Sequence, residues 1–271
     1  MTHPLLDIRN LTHRFGGLVA VDKFSLAVAP GELVGVIGPN GAGKTTVFNL
    51  ISGVYRASAG SIRFDGAELV GRAPQEIARL GIARTFQNIR LFRDATVLDN
   101  VRTALDATAR YGAAGALAHA RGMRREEERV IAEAHEMLAL LKLHRLAGET
   151  AASLPYGLQR RLEIARALAL HPRLLLLDEP AAGMNPSEIG GLMEFIAWVR
   201  ERFSLTILLI EHQMRLVMGI CRRITVLDFG AVLAEGTPDE IRRDPKVLEA
   251  YLGVDEGAGG GGGGGGARWP R

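Results

Sequence analysis

The residues best placed to do chemistry form one glycine-rich loop. The segment Gly38–Thr45 reads GPNGAGKT and matches the spacing G-x-x-x-x-G-K-[ST] in full. Glycines in such a loop allow backbone N–H groups to surround phosphate oxygens, the lysine reaches the outer phosphates, and the threonine hydroxyl (Thr45) binds Mg²⁺. The loop therefore predicts a site for ATP and Mg²⁺. The residues predicted to contact the nucleotide here are Gly38, Pro39, Asn40, Gly41, Ala42, Gly43, Lys44, Thr45 and Thr46.

Two adjacent carboxylates, Asp178 and Glu179, form the second candidate group. They follow the apolar run Leu174–Leu177, which has the pattern of a buried strand. We expect Asp178 to hold Mg²⁺ through water, and Glu179 to orient the attacking water and accept its proton. An apolar run that ends in Asp-Glu is common by itself, but after a phosphate-binding loop it predicts ATP hydrolysis.

Short apolar runs separated by helical patterns must position these groups. Four runs are largely apolar throughout, which indicates burial on both faces and a mostly parallel sheet covered by helices. They are Leu33–Ile37, Leu174–Leu177, Thr206–Ile210 and Ile224–Leu227. Three earlier segments alternate in polarity and predict an antiparallel sheet, namely Leu5–Leu11, Ser25–Val28 and Ser61–Phe64. The predicted fold class is α/β.

The middle and the end of the chain differ from this pattern. Strand patterns vanish between Thr96 and Ser153, which predicts a helical insertion. Within it, the charged run Arg124–Arg129 is interpreted as a solvated helix face, because opposite charges are mixed at helical spacing. The tail, residues 257–271, contains only glycine from 259 to 266 and has no side chains to bury there. We expect that tail to be disordered and dispensable.

The bulk properties exclude several classes of protein. The 271 residues are 47% apolar and 23% charged, as in an ordinary globular chain. The formal net charge is +3, with basic and acidic residues interleaved, so no nucleic-acid partner is expected. The single cysteine, Cys221, favours a reducing compartment. Because no secretory signal is seen and no apolar run approaches about 20 residues, we expect a cytoplasmic chain that does not cross a membrane by itself.

The segment just before the carboxylate pair carries a family resemblance. Ser153–Ala167 reads SLPYGLQRRLEIARA and resembles the signature motif and following helix of the ATP-binding cassette (ABC) transporter ATPases. The resemblance covers about Leu5 to Gly253 and implies one ATP-binding domain over residues 5–253. The implied fold is that of a P-loop NTPase, with a mostly parallel RecA-like core sheet, an N-terminal antiparallel β-subdomain and a helical subdomain at about 96–160.

The same resemblance implies roles for four further residues. Gly157 and its helix would close over the γ-phosphate held by the opposite subunit, so that two cassettes, identical or paralogous, work head to tail. Gln87 would assist catalysis and link Mg²⁺ to the transmembrane partner. His212 would contact the γ-phosphate as part of the catalytic set, and Phe15 would stack on adenine. Taken singly, such a glutamine is usually a surface residue, such a histidine structural and such a phenylalanine core.

The chain departs from the family pattern at four positions. Pro155 and Tyr156 stand where serine and glycine are usual, and Leu158 stands where glutamine is usual. Because proline offers neither a hydroxyl nor a backbone N–H, we expect a grip on the opposite ATP that is weaker or depends on the partner's signature. Asn185 stands where an aspartate is common, which predicts altered communication between the two sites.

Within the family, the chain resembles the ATP-binding subunits of bacterial branched-chain amino acid importers. The matching segments are Phe15–Val21, Arg84–Phe92, Tyr156–Arg166 and Asp228–Pro238. The resemblance implies permease subunits, a second cassette and, indirectly, an extracytoplasmic substrate-binding protein as partners, with this chain on the inner face of the cell membrane. The alternatives are a urea or short-amide importer, a non-transport ABC ATPase of DNA maintenance or translation, and a regulatory module that holds ATP but hydrolyses it poorly.

Overall fold

The computed structural model describes residues 3–107 and 120–256, with side chains for 3–107 and 124–251. These residues fall into two compact units, the first made of residues 3–84 and 173–256, the second of the remainder between 85 and 172. The predicted helical subdomain, about 96–160, lies within the second unit, and its bounds stay a prediction. The predicted tail, residues 257–271, lies outside the described residues.

An antiparallel sheet forms the N-terminal part of the first unit, with strand order β2-β1-β4-β5. Its strands are β1 (Leu6–Phe15), β2 (Leu18–Val28), β4 (Ala59–Phe64) and β5 (Ala67–Glu68). The predicted antiparallel sheet is confirmed. The strands β1 and β2 extend well beyond the segments with alternating polarity, because register shifts in their pairing interrupt that alternation after Ile8.

The core of the first unit is a six-stranded sheet of order β10-β9-β3-β8-β7-β6. Its strands are β3 (Leu33–Ile37), β6 (Ile82–Arg84), β7 (Leu174–Asp178), β8 (Thr206–Ile210), β9 (Arg223–Asp228) and β10 (Ala231–Gly236). All neighbours pair in parallel except β10, which is antiparallel to β9. Every residue of β3, β7 and β8 is buried, so the predicted mostly parallel core is confirmed.

The helices of the described residues are numbered in chain order. They are α1 (Lys44–Ile51), α2 (Pro74–Arg79), α3 (Val97–Asp106), α4 (Ala120–Leu140), α5 (Tyr156–Leu168), α6 (Pro186–Arg202), α7 (Met214–Ile220), α8 (Pro238–Arg243) and α9 (Pro245–Glu256). Asn185 precedes helix α6, and its side-chain oxygen accepts from the N–H groups of Ser187 and Glu188 at 3.0 Å. Asn185, which stands where the family commonly has aspartate, is therefore the N-cap residue of α6.

The second unit is helical, as predicted, and consists of α3, α4 and α5 with two short 3-10 turns at His144–Leu146 and Ala151–Ser153. In α4, Arg129 pairs with Glu126 and Glu133 at 2.7 Å on an exposed face. The opposite face buries Val130, Ala134, Met137 and Leu138 at helical spacing. The interpretation of the charged run as a solvated helix face is confirmed.

Two smaller expectations also have structural outcomes. Cys221 is buried, and burial raises the pKa of its thiol, which makes it an unreactive packing residue. Among the helices of the described residues, none combines the length and the apolar character that a membrane crossing requires.

Candidate functional site

The candidate site lies where the parallel strands of the first unit end. Strand β8 pairs with both β3 and β7, so that Ile210 lies opposite Val36 on one side and Asp178 on the other. Because parallel strands end at the same edge of a sheet, the residues that follow them come together there. The loop after Ile37, the carboxylates at Asp178 and the residues after Ile210 therefore share one edge.

The loop between β3 and α1 is fixed by close packing against neighbouring backbone. Gly38 and Gly43 have positive φ angles of 152° and 98°. A Cβ atom at Gly38 would lie 2.1 Å from the carbonyl oxygen of Leu227, and one at Gly43 would lie 2.4 Å from that of Ala20. These two positions accept only glycine, because any side chain would clash with backbone that cannot move aside.

Lys44 lies inside the curve of this loop. The residue is 6% exposed, and its Nζ donates to the carbonyl oxygens of Gly38 and Pro39 at 2.8 Å. Burial lowers the pKa of Lys44, and the nearby carboxylates of Glu179 and Asp178 oppose that shift. The structure thus brings the predicted phosphate-binding lysine and the two predicted carboxylates into one electrostatic cluster.

Asp178, at the end of β7, is held by an arginine that the sequence analysis did not single out. Arg84 Nη2 donates to Asp178 Oδ2 at 2.8 Å, and both side chains are almost fully buried. Arg84 Nη1 also donates to Asn49 Oδ1 at 2.7 Å and to Ser52 Oγ at 3.0 Å, both associated with α1. The sequence pattern that could have indicated Arg84 is a basic residue at the end of a short apolar run, directly before the Gln87 segment.

Glu179 and His212 lie next to each other. The distance from Glu179 Oε2 to His212 Nδ1 is 3.4 Å. Glu179 has a positive φ of 46° and donates its N–H to Ile210 at 2.9 Å, so the turn after β7 is tied to β8. The hydrogen bond with Glu179 raises the pKa of His212, which favours the imidazolium at this edge of the sheet.

Glu211 is a second residue that the sequence analysis missed. Its side chain is fully buried and accepts from the N–H groups of Ala181 at 2.7 Å, His212 at 2.9 Å and Gln213 at 3.0 Å. Burial raises the pKa of Glu211 against the effect of these donors. Glu211 therefore ties the loop after Glu179 to the start of the histidine loop. The sequence pattern that could have indicated Glu211 is a carboxylate directly after a buried apolar run, the same pattern that marks Asp178.

Phe15 belongs to a small aromatic group in the first unit. Its ring makes edge contacts with His13 at 4.6 Å and with Tyr55 at 5.3 Å between centroids, and the residue remains 45% exposed. A partly exposed ring held by two others can stack on a planar ligand. Contact of Phe15 with adenine stays a prediction.

Gln87 and Gly157 belong to the second unit, so their predicted nucleotide contacts stay predictions. Gln87 is exposed in a segment without regular secondary structure, and Gly157 lies in the first turn of α5. Pro155 is the N-cap residue of α5 and provides no side-chain cap. Proline cannot supply the hydroxyl that a serine would offer to this helix start, and the expected effect of Pro155 on the opposite ATP stays a prediction.

The donor set at the sheet edge fits Mg²⁺ with a nucleotide. Thr45 offers a hydroxyl in the first turn of α1, and Asp178 offers a carboxylate, both hard oxygen ligands. In the described residues no group of three or more His, Cys, Asp or Glu side chains could hold a metal alone. Mg²⁺ needs no such cage, because it takes one or two carboxylates together with substrate phosphates and water.

The parallel core sheet is buried on both faces, and its strand β3 leads through the glycine-rich loop into α1. This arrangement defines a P-loop nucleotidase. Comparisons with known proteins give the family. A family model described as ABC transporter matches residues 21–182, and one described as branched-chain amino acid ATP-binding cassette transporter matches residues 231–257. The chain belongs to the ABC transporter family and is an ATPase.

Named relatives cover nearly the whole chain. It is 46% identical to the high-affinity branched-chain amino acid transport ATP-binding protein BraF of Pseudomonas aeruginosa and 47% identical to LivG, of the same description, from Escherichia coli K12, over 93% of this chain and 99% of each relative. A crystal structure of an ABC transporter cassette in its ADP conformation is similar with a TM-score of 0.79 and 29% identity, covering 93% of this chain and 100% of that one. The predicted ABC ATPase fold is confirmed.

Proposed function

We propose that the chain is the ATP-hydrolysing subunit of an importer for branched-chain, hydrophobic amino acids. The observation that carries this proposal is the 46–47% identity, over 93% of the chain, to relatives named for transport of these amino acids. The C-terminal match at residues 231–257 supports the same substrate class. Permease subunits carry the amino acid, and this chain supplies the energy by hydrolysing ATP.

In this proposal the nucleotide is bound by the edge of the core sheet. The N–H groups of Gly38 and residues 40–46 and the Lys44 ammonium bind phosphates, and Phe15 stacks on the adenine. Thr45, Asp178 and Gln87 hold Mg²⁺, which neutralises phosphate charge when it is bound. The burial of Lys44 and Asp178 supports these roles, because charges act more strongly where water is excluded.

Hydrolysis depends on Glu179 and His212 in the same proposal. Glu179 orients the attacking water and accepts its proton, because its carboxylate stands at the strand end beside the phosphate loop. His212 contacts the γ-phosphate, and Glu179, 3.4 Å away, raises the pKa of the imidazole and so favours its cationic form. Gln87 is the third residue of the proposed catalytic set.

A second cassette, bound head to tail, completes each site through Gly157. In the described residues no atom lies within 4 Å of a Cβ built at Gly157. Packing inside this chain therefore gives no reason for glycine at this position, which supports close approach by a group from outside, such as the γ-phosphate of the opposite cassette. The paired cassettes sit on the inner face of the membrane under the permeases, with an extracytoplasmic binding protein on the other side.

The test is purification of the chain with its partners from gently solubilised host membranes, followed by reconstitution with the binding protein in vesicles. We expect leucine, isoleucine or valine to stimulate ATP hydrolysis and to accumulate in the compartment that the binding protein does not face. Stimulation by urea or a short amide instead would assign the cassette to that importer class. Recovery of ribosomes or DNA-repair proteins without permeases would reject the transport function.

The matched variant in this assay is Glu179→Gln. We expect it to bind ATP as the parent chain does while turnover falls on the order of 10²- to 10⁴-fold, the usual contribution of a general base. Nucleotide affinity is measured by fluorescence titration and turnover by phosphate release. Turnover at the parent rate would show that Glu179 is not the base.

A further inference from the structure

Helix α5 carries a buried ion pair to which the proposed function gives no role. Arg160 and Glu163 stand one helical turn apart, with side chains 0% and 6% exposed, and Arg160 Nη1 lies 2.6 Å from Glu163 Oε2. Burying both charges is costly unless their remaining hydrogen-bonding groups are also satisfied. The partners of those groups therefore show what the pair is for.

Four of the partners are backbone groups of one segment, residues 85–92, here called the Gln87 loop. Arg160 donates through Nη1 to the carbonyl of Phe86 at 2.8 Å and through Nη2 to that of Gln87 at 2.9 Å. Glu163 Oε1 accepts from the N–H groups of Phe86 and Arg90, both at 3.3 Å. Four backbone groups on both sides of the Gln87 side chain are thus bound by one ion pair.

The Gln87 loop has no regular secondary structure to fix its direction. A loop of this kind takes its orientation from side chains that bind its backbone. Arg166, further along α5, adds to the contact, because it donates to the carbonyl of Arg90 and lies 4.7 Å over the ring of Phe92. Asn100 on α3 holds only the far end of the loop, where it accepts from the N–H of Phe92 and donates to its carbonyl, both at 2.9 Å.

Arg160 also reaches the beginning of α5. Its Nη2 donates to the hydroxyl of Tyr156 at 3.2 Å, and Tyr156 precedes Gly157. One guanidinium therefore contacts both the loop that carries Gln87 and the first turn that carries Gly157. Movement of one of these segments must disturb the hydrogen bonds of the other.

We propose that Arg160 and Glu163 are positioning residues that set the direction of Gln87 and couple its loop to the first turn of α5. The inference rests on the proposed function, which makes Gln87 a ligand of Mg²⁺ and Gly157 a contact of the opposite nucleotide. The pair acts through Gln87 and touches neither nucleotide nor metal itself.

Two conservative substitutions test this role. Lysine is a point charge and cannot bind two carbonyls and a carboxylate as the arginine fork does, so Arg160→Lys keeps the charge and loses the clamp. Glu163→Gln leaves one oxygen acceptor, which can serve Arg160 or the loop N–H groups but not both. In the full-length chain, we expect amide hydrogen exchange to become faster at Phe86 and Arg90 in both variants, with the core strands unchanged.

A double-mutant cycle in ATP hydrolysis supplies the functional readout. We expect Arg160→Lys to lower turnover on the order of 10- to 100-fold, since a misplacement of about 1 Å can cost about 10²-fold, and to raise the Mg²⁺ concentration for half-maximal rate. In the Gln87→Ala background the same substitution should have an effect within about twofold, because interacting residues are not additive. Equal effects in both backgrounds would overturn the proposal, as would faster exchange throughout the chain without a local change.

Arg223→Lys is the matched control. Arg223 makes a two-pronged pair with Glu32 at 2.8 and 3.0 Å in the first unit, far along the chain from the Gln87 loop. We expect exchange at Phe86 and the Mg²⁺ dependence to stay at parent values in this variant. If hydrogen exchange and the double-mutant cycle do not give the expected results while amino acid transport is intact, only the positioning role is rejected. If amino acids do not stimulate ATP hydrolysis in the parent chain, the proposed function is rejected.

Discussion

At the scale of single residues, the site depends on charges that water does not reach. Arg84 is bound to Asp178, Asn49 and Ser52 at once, so its guanidinium ties the end of β7 to α1. The contact at Oδ2 fixes the orientation of the Asp178 carboxylate at the end of β7. Such a fixed carboxylate suits the Mg²⁺ role proposed for Asp178, because a preorganised charge needs little rearrangement on binding.

Removing one member of this buried pair leaves a charge alone in the interior. We expect Arg84→Met to lower the free energy of unfolding by about 3–5 kcal/mol, measured by urea denaturation without nucleotide. The control is Arg124→Met, because Arg124 pairs with Glu128 at 3.1 Å on the exposed face of α4. That change should cost less than about 0.5 kcal/mol. Similar losses in the two variants would show that the Arg84 pair has no special role.

His212 predicts a dependence of stability on pH. Its pKa is raised in the folded chain by Glu179, with help from Glu211 and opposition from burial and Lys44. The stabilisation is therefore complete below the unfolded value of about 6.5 and is lost as pH rises through the folded pKa. We expect the stability difference between the parent and His212→Gln to be larger at about pH 6 than at about pH 9, measured by urea denaturation. A difference that grows with pH would contradict this assignment.

At the scale of elements, the turn between β9 and β10 supports the phosphate loop from behind. Gly230 donates its N–H to the carbonyl of Ala42 at 3.0 Å and accepts from the N–H of Asp22 at 2.9 Å. Its Cβ position lies 2.8 Å from the carbonyl of Ala20, the same oxygen that excludes a side chain at Gly43. Three elements thus meet backbone to backbone at Ala20.

This contact gives a prediction with a closely matched control. Gly230 and Gly66 have φ angles of 83° and 81°, but in the described residues no atom lies within 4 Å of a Cβ at Gly66. We expect Gly66→Ala to cost only the conformational strain, about 1–2 kcal/mol, with ATP affinity unchanged. Gly230→Ala should cost more and weaken ATP binding by about tenfold, equivalent to about 1.4 kcal/mol of loop strain. Equal affinities in calorimetric titration would show that the turn does not position the loop.

Sequence patterns predicted the elements that are apolar throughout and missed those that depend on partners. Leu33–Ile37 and Thr206–Ile210 form strands with the expected bounds, because burial on both faces leaves a continuous apolar run. The strands Ile82–Arg84 and Ala231–Gly236 were not predicted as strands, since one is very short and the other is a largely exposed edge. Arg84 was missed for a related reason, because Asp178 lies 94 residues further along the chain, and the contact of Glu211 with Ala181 likewise spans 30 residues.

At the scale of the whole molecule, the glycine-rich tail gives a prediction from composition alone. The glycine run from 259 to 266 has no side chains to bury and gains nothing from ordering, so we expect residues 257–271 to add no stability to the cassette. We expect a chain ending at Glu256 to keep the parent thermal midpoint and an ATPase rate within about twofold. Calorimetry and phosphate release provide the measurements, and a lower midpoint would show that the tail contributes contacts.

The connection between β6 and β7 has a consequence for how such cassettes diversify. Parallel neighbours need a crossover of a dozen or more residues, usually one helix, and here the entire second unit serves as that crossover between Arg84 and Arg173. The core sheet fixes only the two ends of this insertion, because β6 before it pairs with β7 after it, with Ile82 opposite Leu174. Evolution can therefore lengthen, shorten or recast the second unit while the edge of the core sheet is inherited unchanged.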